Sequence, residues 1–351
     1  GGAPIAMVSM DNCPRKGEKL RAGVLSMARG WAERGLVESA FLDWLEDEGR
    51  VSFPWSMIDK ITPHPSERVQ EELGRLGVAD MAIARTNTGT LIAPFVNAEI
   101  TEYLVLEDAF PNGRPALEGA GGDLTDRTTV EKAEKMKVGT CLNPLHTALA
   151  VYGCLLGYTS IAAEMGDADL KALVEHIAAE SLPVVEDPGI LSPRAFIDEV
   201  LHERFPNPAI PDTPQRIAAD TSQKLPVRYG GTLRRYARQS EQALAGLEFA
   251  PLVFAGWCRY LLGVDDRGNA MPVSPDPMLP QLQAHLKGIE VGRPDSLAGQ
   301  LRPILSNAAL FGVDLYAAGL GERTEEMFRD MLAGPGAVRA TLHRNCACKQ
   351  P

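Results

Sequence analysis

The chain has 351 residues, a formal net charge of -11 and 45% hydrophobic residues. That length and apolar fraction allow one large domain or two ordinary ones, and they exclude wholesale disorder. The acidic balance argues against nucleic acid and anionic membrane as partners, yet leaves room for an anionic small molecule in a local basic pocket.

In chain order, the N-terminal "APIAMVSMDN" is a short apolar run that ends at Asp11-Asn12, which predicts a buried strand running into a loop. No parallel-strand series follows it, and no G-x-G-x-x-G fingerprint stands after a strand. The strand therefore reads as the last piece of a sheet whose other members lie outside this chain. Helical patterns then dominate. "EKLRAGVLSMARGWAERG" puts Leu20, Val24, Leu25 and Ala28 on one face and ends at Gly35. "ESAFLDWLEDE" and "SERVQEELGRLG" are two further amphipathic helices, the second capped by Ser66. "ITEYLVLEDAF" and "EGAGGDLTD" interrupt the run, and a small β element or long loop is expected there. Helices resume over 144–164, 167–181 (with an Asp cap) and 192–205, and continue through "LEFAPLVFAGWCRYLLG" to "ERTEEMFRDMLAG". The predicted fold is mostly α: a large helical domain over residues 13–351, preceded by a β remnant over residues 1–12.

The six cysteines, Cys13, Cys141, Cys154, Cys258, Cys346 and Cys348, are irregularly spaced. They read as reduced thiols of a cytoplasmic protein rather than a disulfide frame. No basic-then-apolar leader opens the sequence. The apolar stretch 147–163 is too short and too interrupted for a membrane span, so a buried helix is expected there. The tail "HRNCACK" lacks a second ligand pair at zinc spacing, so it reads as an exposed tail and no metal is expected.

The most informative stretch is "EKMKVGTCLNPLH". Asn143 suits an N-cap and Pro144 the first helical position, which leaves His146 in the first turn. A helix N-terminus is a positive pole with free N–H groups. A buried lysine beside it, such as Lys137, has its charged form disfavoured and can serve as a general base. Asn143 and His146 could then hold a substrate oxygen while negative charge develops. Elsewhere the bland readings stand first. Asp11 to Pro14 is a turn, Asp59 and Lys60 in "SFPWSMIDKITP" are a solvated pair in a loop, and Arg216, Lys224 and Arg228 are a solvated basic face. The functional reading of those three is an anion clamp.

The order of "SMDN", "SMIDKITP", "K…LNPLH" and "RIAADTSQKLP" resembles the polyol-specific long-chain dehydrogenase family across nearly the whole chain. The resemblance implies a metal-independent NAD-dependent enzyme, with NADP as the alternative, in which a Rossmann-type domain precedes a helical domain. It implies Lys137 as the catalytic base, Asn12 and Asn143 as the groups that polarise the reacting oxygen, and His146 as an orienting residue. Asp59, Arg216 and Lys224 take the substrate-contacting places. It implies a sugar acid or polyol as the small-molecule partner, with mannonate and fructuronate ahead of mannitol or tagaturonate. The spacing from Lys137 to Asn143 is one residue longer than the family's, so a local bulge is expected, and Lys135 competes with Lys137 as the base. The family's glycine-rich cofactor turn has no counterpart in this sequence. Two other classes stay open: a helical domain that binds a sugar acid without chemistry, and a Schiff-base lysine enzyme.

Overall fold

The computed structural model describes residues 2–11 and 13–347, so Asn12 and everything from Cys348 onward lie outside the described residues. The chain divides into two compact units, one of residues 1–134 with 188–190, the other of 135–187 with 191–351.

The first unit is mixed. Strand β1 (Ile5–Ala6) pairs in parallel with β2 (Val51–Ser52), with Ile5 opposite Val51. Helices α1 (Lys16–Glu33) and α2 (Ser39–Glu46) make the crossover between them, the connection a parallel pair requires. The predicted face of α1 supplies the core: Leu25 and Ala28 are buried with Leu45, Val51 and Phe53, and Leu20 and Val24 pack against them. Gly17 on α1 is required by close approach, since a Cβ there would lie 2.7 Å from the carbonyl oxygen of Phe53 and from a ring carbon of Trp55. Two expectations are corrected here. The N-terminal strand is shorter than its apolar run, with Ile5 46% exposed, and it is not isolated. Its partner is the two-residue β2, too short to leave a periodic signal. The segment read as a loop around Asp59 is strand β3 (Ser56–Asp59).

Beyond β3 come α3 (Glu67–Arg75), the two-stranded hairpin β4 (Ala84–Arg85) and β5 (Leu91–Ile92), then β6 (Tyr103–Glu107) and β7 (Asp123–Thr125). β6 is the centre of a three-stranded sheet, antiparallel to β3 and parallel to β7. The expected β interruption at 100–125 is thus a real sheet, and β3 completes it.

Helix α4 (Arg127–Met136) leads to the second, helical unit. Its order is α5 (Asn143–Leu156), α6 (Ile161–Glu164), α7 (Ala168–Ser181), α8 (Pro193–Glu199), α9 (Pro214–Ile217), α10 (Thr221–Arg228), α11 (Gly230–Gln239), α12 (Glu241–Ala245), α13 (Phe249–Tyr260), α14 (Leu279–His285), α15 (Arg302–Leu305), α16 (Ala308–Phe311), α17 (Gly321–Met331) and α18 (Ala337–Cys346). Every residue of α13 is buried, which marks it as the central post of the unit. It crosses α5 closely: a Cβ at Gly256 would lie 2.7 Å from the Tyr152 ring, and the Tyr152 hydroxyl donates to Leu252 O at 2.8 Å. The single helix expected over 144–164 is broken at Gly157, whose φ of 81° ends α5 in the left-handed region that glycine favours. The Asp167 cap is present, accepting from the N–H groups of Asp169 and Leu170.

The tail expectation is also corrected. The chain through Cys346 is helical, Cys346 is buried, and His343 Nδ1 lies 2.8 Å from Asp169 Oδ1. The apolar spacing of Val338, Thr341 and Leu342 turns one side of α18 inward. The five described cysteines are all free thiols. Among the described residues no helix is long and apolar enough to cross a membrane.

Candidate active site

Helix α4 passes into a π-helical turn, Lys137–Cys141. The Leu142 N–H donates to Lys137 O at 3.1 Å, five residues back, so the turn holds one residue more than an α-helical turn. This is the bulge expected from the spacing between Lys137 and Asn143, and π-turns of this kind recur at functional sites. Because the chain enters α5 through this turn, no cap transition is made at Asn143. The N-cap position falls on Leu142, and Asn143 is the first helical residue. The capping role read from the sequence is corrected accordingly: the half-buried Asn143 side chain is not used as a cap.

The π-turn separates the two lysines. Lys137 is 4% exposed. Lys135 has a side chain 47% exposed, 3.8 Å from Glu186. A base that must work in a water-poor site fits the first and not the second.

His146 lies one turn into α5. Its Nε2 is 3.1 Å from Asp212 Oδ2, close enough for an ion pair but without the alignment of a hydrogen bond. Its ring packs on Phe205, with centroids 5.2 Å apart. Burial pushes the imidazole below its ordinary pKa. Asp212 pulls the other way, and Arg228 and Arg216 add to the lowering. Asp212 itself is 6% exposed. Burial alone would raise its carboxyl, but His146 and Arg216 together hold it below the usual carboxylate range.

Arg216, on α9, gives Asp212 Oδ1 two bonds, from Nε at 2.9 Å and Nη2 at 2.6 Å. Its side chain is still 67% exposed, so it is tethered without being buried. Lys224, on α10, donates from Nζ to Ile217 O at 2.9 Å and also to Ala219 O. Burial and the neighbouring Arg228 charge bring its ammonium down to about 8. Arg228 bridges α10 to the start of α5, donating to Thr147 Oγ1 at 2.7 Å and Asn143 O at 3.4 Å. Burial lowers its guanidinium to about 10. Tyr229 OH donates to Pro144 O at 2.7 Å, and Thr232 Oγ1 to Gly139 O at 3.1 Å. Lys224 and Arg228 are therefore not part of a solvated face, while Arg216 stays exposed. Residues 228–232 grip the π-turn and the first turn of α5, and α9 and α10, which carry Arg216 and Lys224, pack against α5 and the π-turn that carry Lys137, Asn143 and His146.

Of the remaining sequence candidates, Asn12 lies outside the described residues. Asp59 closes β3 in the first unit and is 5% exposed. It is not the solvated partner of Lys60, which pairs instead with Glu102 at 2.8 Å. The first unit also holds a cavity of about 630 Å³ lined by Arg21, Trp55, Glu107 and Arg127 among others, with none of the sequence candidates on its wall. Sequence reasoning missed Asp212 and Thr147. Asp212 had a signal, its four-residue step to Arg216. Thr147 had none, because its importance comes from Arg228 across the fold. Among the described residues no group of three or more His, Cys, Asp or Glu is arranged to hold a metal.

Residues 129–323 match the family model described as mannitol dehydrogenase C-terminal domain. The chain belongs to the mannitol dehydrogenase family. A D-mannonate oxidoreductase of Thermotoga maritima is 56% identical over 344 residues, which is 97% of this chain and 64% of that protein. A mannitol 2-dehydrogenase of Phaeosphaeria nodorum is 30% identical over 363 residues, covering 97% of this chain and 54% of the relative. A Pseudomonas fluorescens mannitol 2-dehydrogenase, solved as a ternary complex with NAD and D-mannitol, superposes with a TM-score of 0.68 at 30% identity, over 99% of this chain and 63% of that one. This member of the mannitol dehydrogenase family thus spans 54–64% of the length of these relatives, and its helical fold is theirs.

Proposed function

We propose that the chain is the substrate-handling part of an NAD-dependent sugar-acid oxidoreductase that interconverts D-mannonate and D-fructuronate. NADP is the alternative cofactor. Residues 1–12 are assigned to the end of a nucleotide-binding domain and the helical part to substrate binding. The observation that carries the reading is one cluster in the helical unit: a buried lysine on a π-turn, an amide and an imidazole on the helix that follows, and cationic side chains from α9 and α10 beside them. A buried amine next to a hydrogen-bonding amide suits removal of a hydroxyl proton while hydride leaves the same carbon. Lys137 takes the role of base, and Asn143, with Asn12, steadies the oxygen that becomes alkoxide-like. His146 orients it. Arg216 and Lys224 take the carboxylate and distal hydroxyls. When bound, the nicotinamide supplies the hydride acceptor. The preference for a sugar acid over a neutral polyol rests on those cations and on the 56% identity to the Thermotoga maritima protein.

The test joins this chain to the nucleotide-binding half of a relative and follows NADH on addition of fructuronate, then of fructose. Fructuronate reduced at least about tenfold faster in kcat/KM supports the reading, since that ratio is about 1.4 kcal/mol of transition-state preference. Faster reduction of fructose sinks the substrate assignment. No turnover of either, with NADH bound, sinks the enzymatic one.

A further inference from the structure

One group beside the cluster has no role in that chemistry. Glu164, the last residue of α6, is 0% exposed, and neither carboxyl oxygen has a hydrogen-bond partner. It lies flat against the backbone of α5. A Cβ at Gly153 would come within 2.1 Å of Oε1 and 2.9 Å of Oε2, so only glycine leaves room for the carboxyl. Helix α6 starts where the Ile161 N–H donates to Asp212 O at 3.0 Å. That bond ties the start of α6 to the backbone of Asp212, the residue paired with His146, and the Asp212 charge is felt at the Glu164 carboxyl. No cation reaches it. The titratable groups that act on it are Asp167 and Asp212, and it acts in turn on Cys154 of α5. The cations that pair with those two acids are themselves committed to them, Arg339 to Asp167 at 2.8 Å and Arg216 to Asp212. A buried carboxylate with two acidic neighbours and no donor is a costly arrangement, and a neutral carboxylic acid is the form that such surroundings accept.

We propose that Glu164 is a positioning residue of the site, a carboxyl held un-ionised behind Asp212 so that Asp212 offers His146 and Arg216 a single, undivided negative charge. The proposal deepens the active-site reading and rests on it for its consequence, not for its test. Ionising Glu164 would place a second negative charge in the surroundings of Asp212, which favours the protonated form of the His146 imidazole and alters the field at its ring. Burial, then Asp167 and Asp212, raise Glu164 to about 9, so the coupling shows itself on the alkaline side.

Two spectroscopic readouts, neither needing turnover, decide the matter on the full chain. In the infrared at neutral pH the wild type is expected to have the carbonyl band of a protonated carboxylic acid. That band shifts on carbon-13 labelling of glutamate and is absent in Glu164→Gln. Histidine NMR, with His146 assigned by its loss in His146→Gln, is expected to show a second inflection near pH 9. Because Lys224 titrates nearby, the comparison is made in Lys224→Met, which keeps the step, and Lys224→Met/Glu164→Gln, which loses it. Absence of the protonated-acid band in labelled wild type overturns the proposal without any variant. A band that is present with no step at His146, or a step that survives Glu164→Gln, reduces Glu164 to a packing group and equally overturns it.

Discussion

Lys137 and Lys135 are two residues apart and chemically identical, and burial alone separates them. In an intact enzyme, Lys137→Met is expected to lower kcat by about a hundred- to ten-thousand-fold, the usual range for a lost general base, with Lys135→Met near wild type. A single-turnover measurement with both variants checks this, and equal losses would remove the assignment. Glu164 belongs at the same scale. Its folded pKa of about 9 lies above the ordinary glutamate value of 4.5, so the folded state holds the proton more tightly than the unfolded chain. Its stabilising contribution is full below about pH 4.5 and is lost as pH rises to about 9. Glu164→Gln should flatten the fall of Tm across that window, which melts at several pH values would read. The apolar stretch "TALAVYGCLLGY" predicted burial of α5, which lies between these residues in the chain. Which polar groups would share the interior with it depended on neighbours far along the chain.

At the scale of elements, the π-turn and the α5–α13 crossing carry the site. The π-turn adds one residue between Lys137 and Asn143. Deleting Val138 should restore α-helical spacing and rotate Lys137 by about 100° against α5, from the helical period. Far-UV circular dichroism is expected to stay near wild type while turnover disappears, and an active deletion variant would show that the register is unimportant. Where α5 meets α13, Gly256→Ala drives a methyl into the Tyr152 ring. The expected loss is about 1–3 kcal/mol, the ordinary cost of overpacking, read from denaturant melts. The sequence made α5 legible through its apolar run and Pro144. It misled about the cap, because Asn143 has a cap's chemistry but follows a chain that is already helical. It hid β2 and β3, since strands of two and four residues fall below the length at which alternation can be recognised.

At the scale of the whole molecule, an acidic chain gathers Arg216, Lys224 and Arg228 in one helical region, where burial tunes two of them. Lys224 loses its proton as pH passes about 8. If it holds the substrate carboxylate, KM for a sugar acid should climb above that pH while KM for a neutral polyol stays level. Lys224→Arg, whose guanidinium keeps its charge, should abolish the climb. Initial rates from pH 6.5 to 9.5 with both substrate types test this, and a parallel rise for the polyol would dissociate Lys224 from carboxylate binding.

The sequence by itself determined the helical class, the core face of α1 and the Asp167 cap, while the bulge after Lys137 came from its resemblance to the family. Each is written in residues close together in the chain, where periodicity and spacing act directly. The tertiary structure decided which lysine is buried, that Asp212 pairs with His146, that Arg228 ties Thr147 to α10, and that Glu164 is enclosed without a partner. Those are contacts between residues up to 81 positions apart, as for Arg228 and Thr147, and desolvation depends on everything packed around a group rather than on its neighbours in the chain.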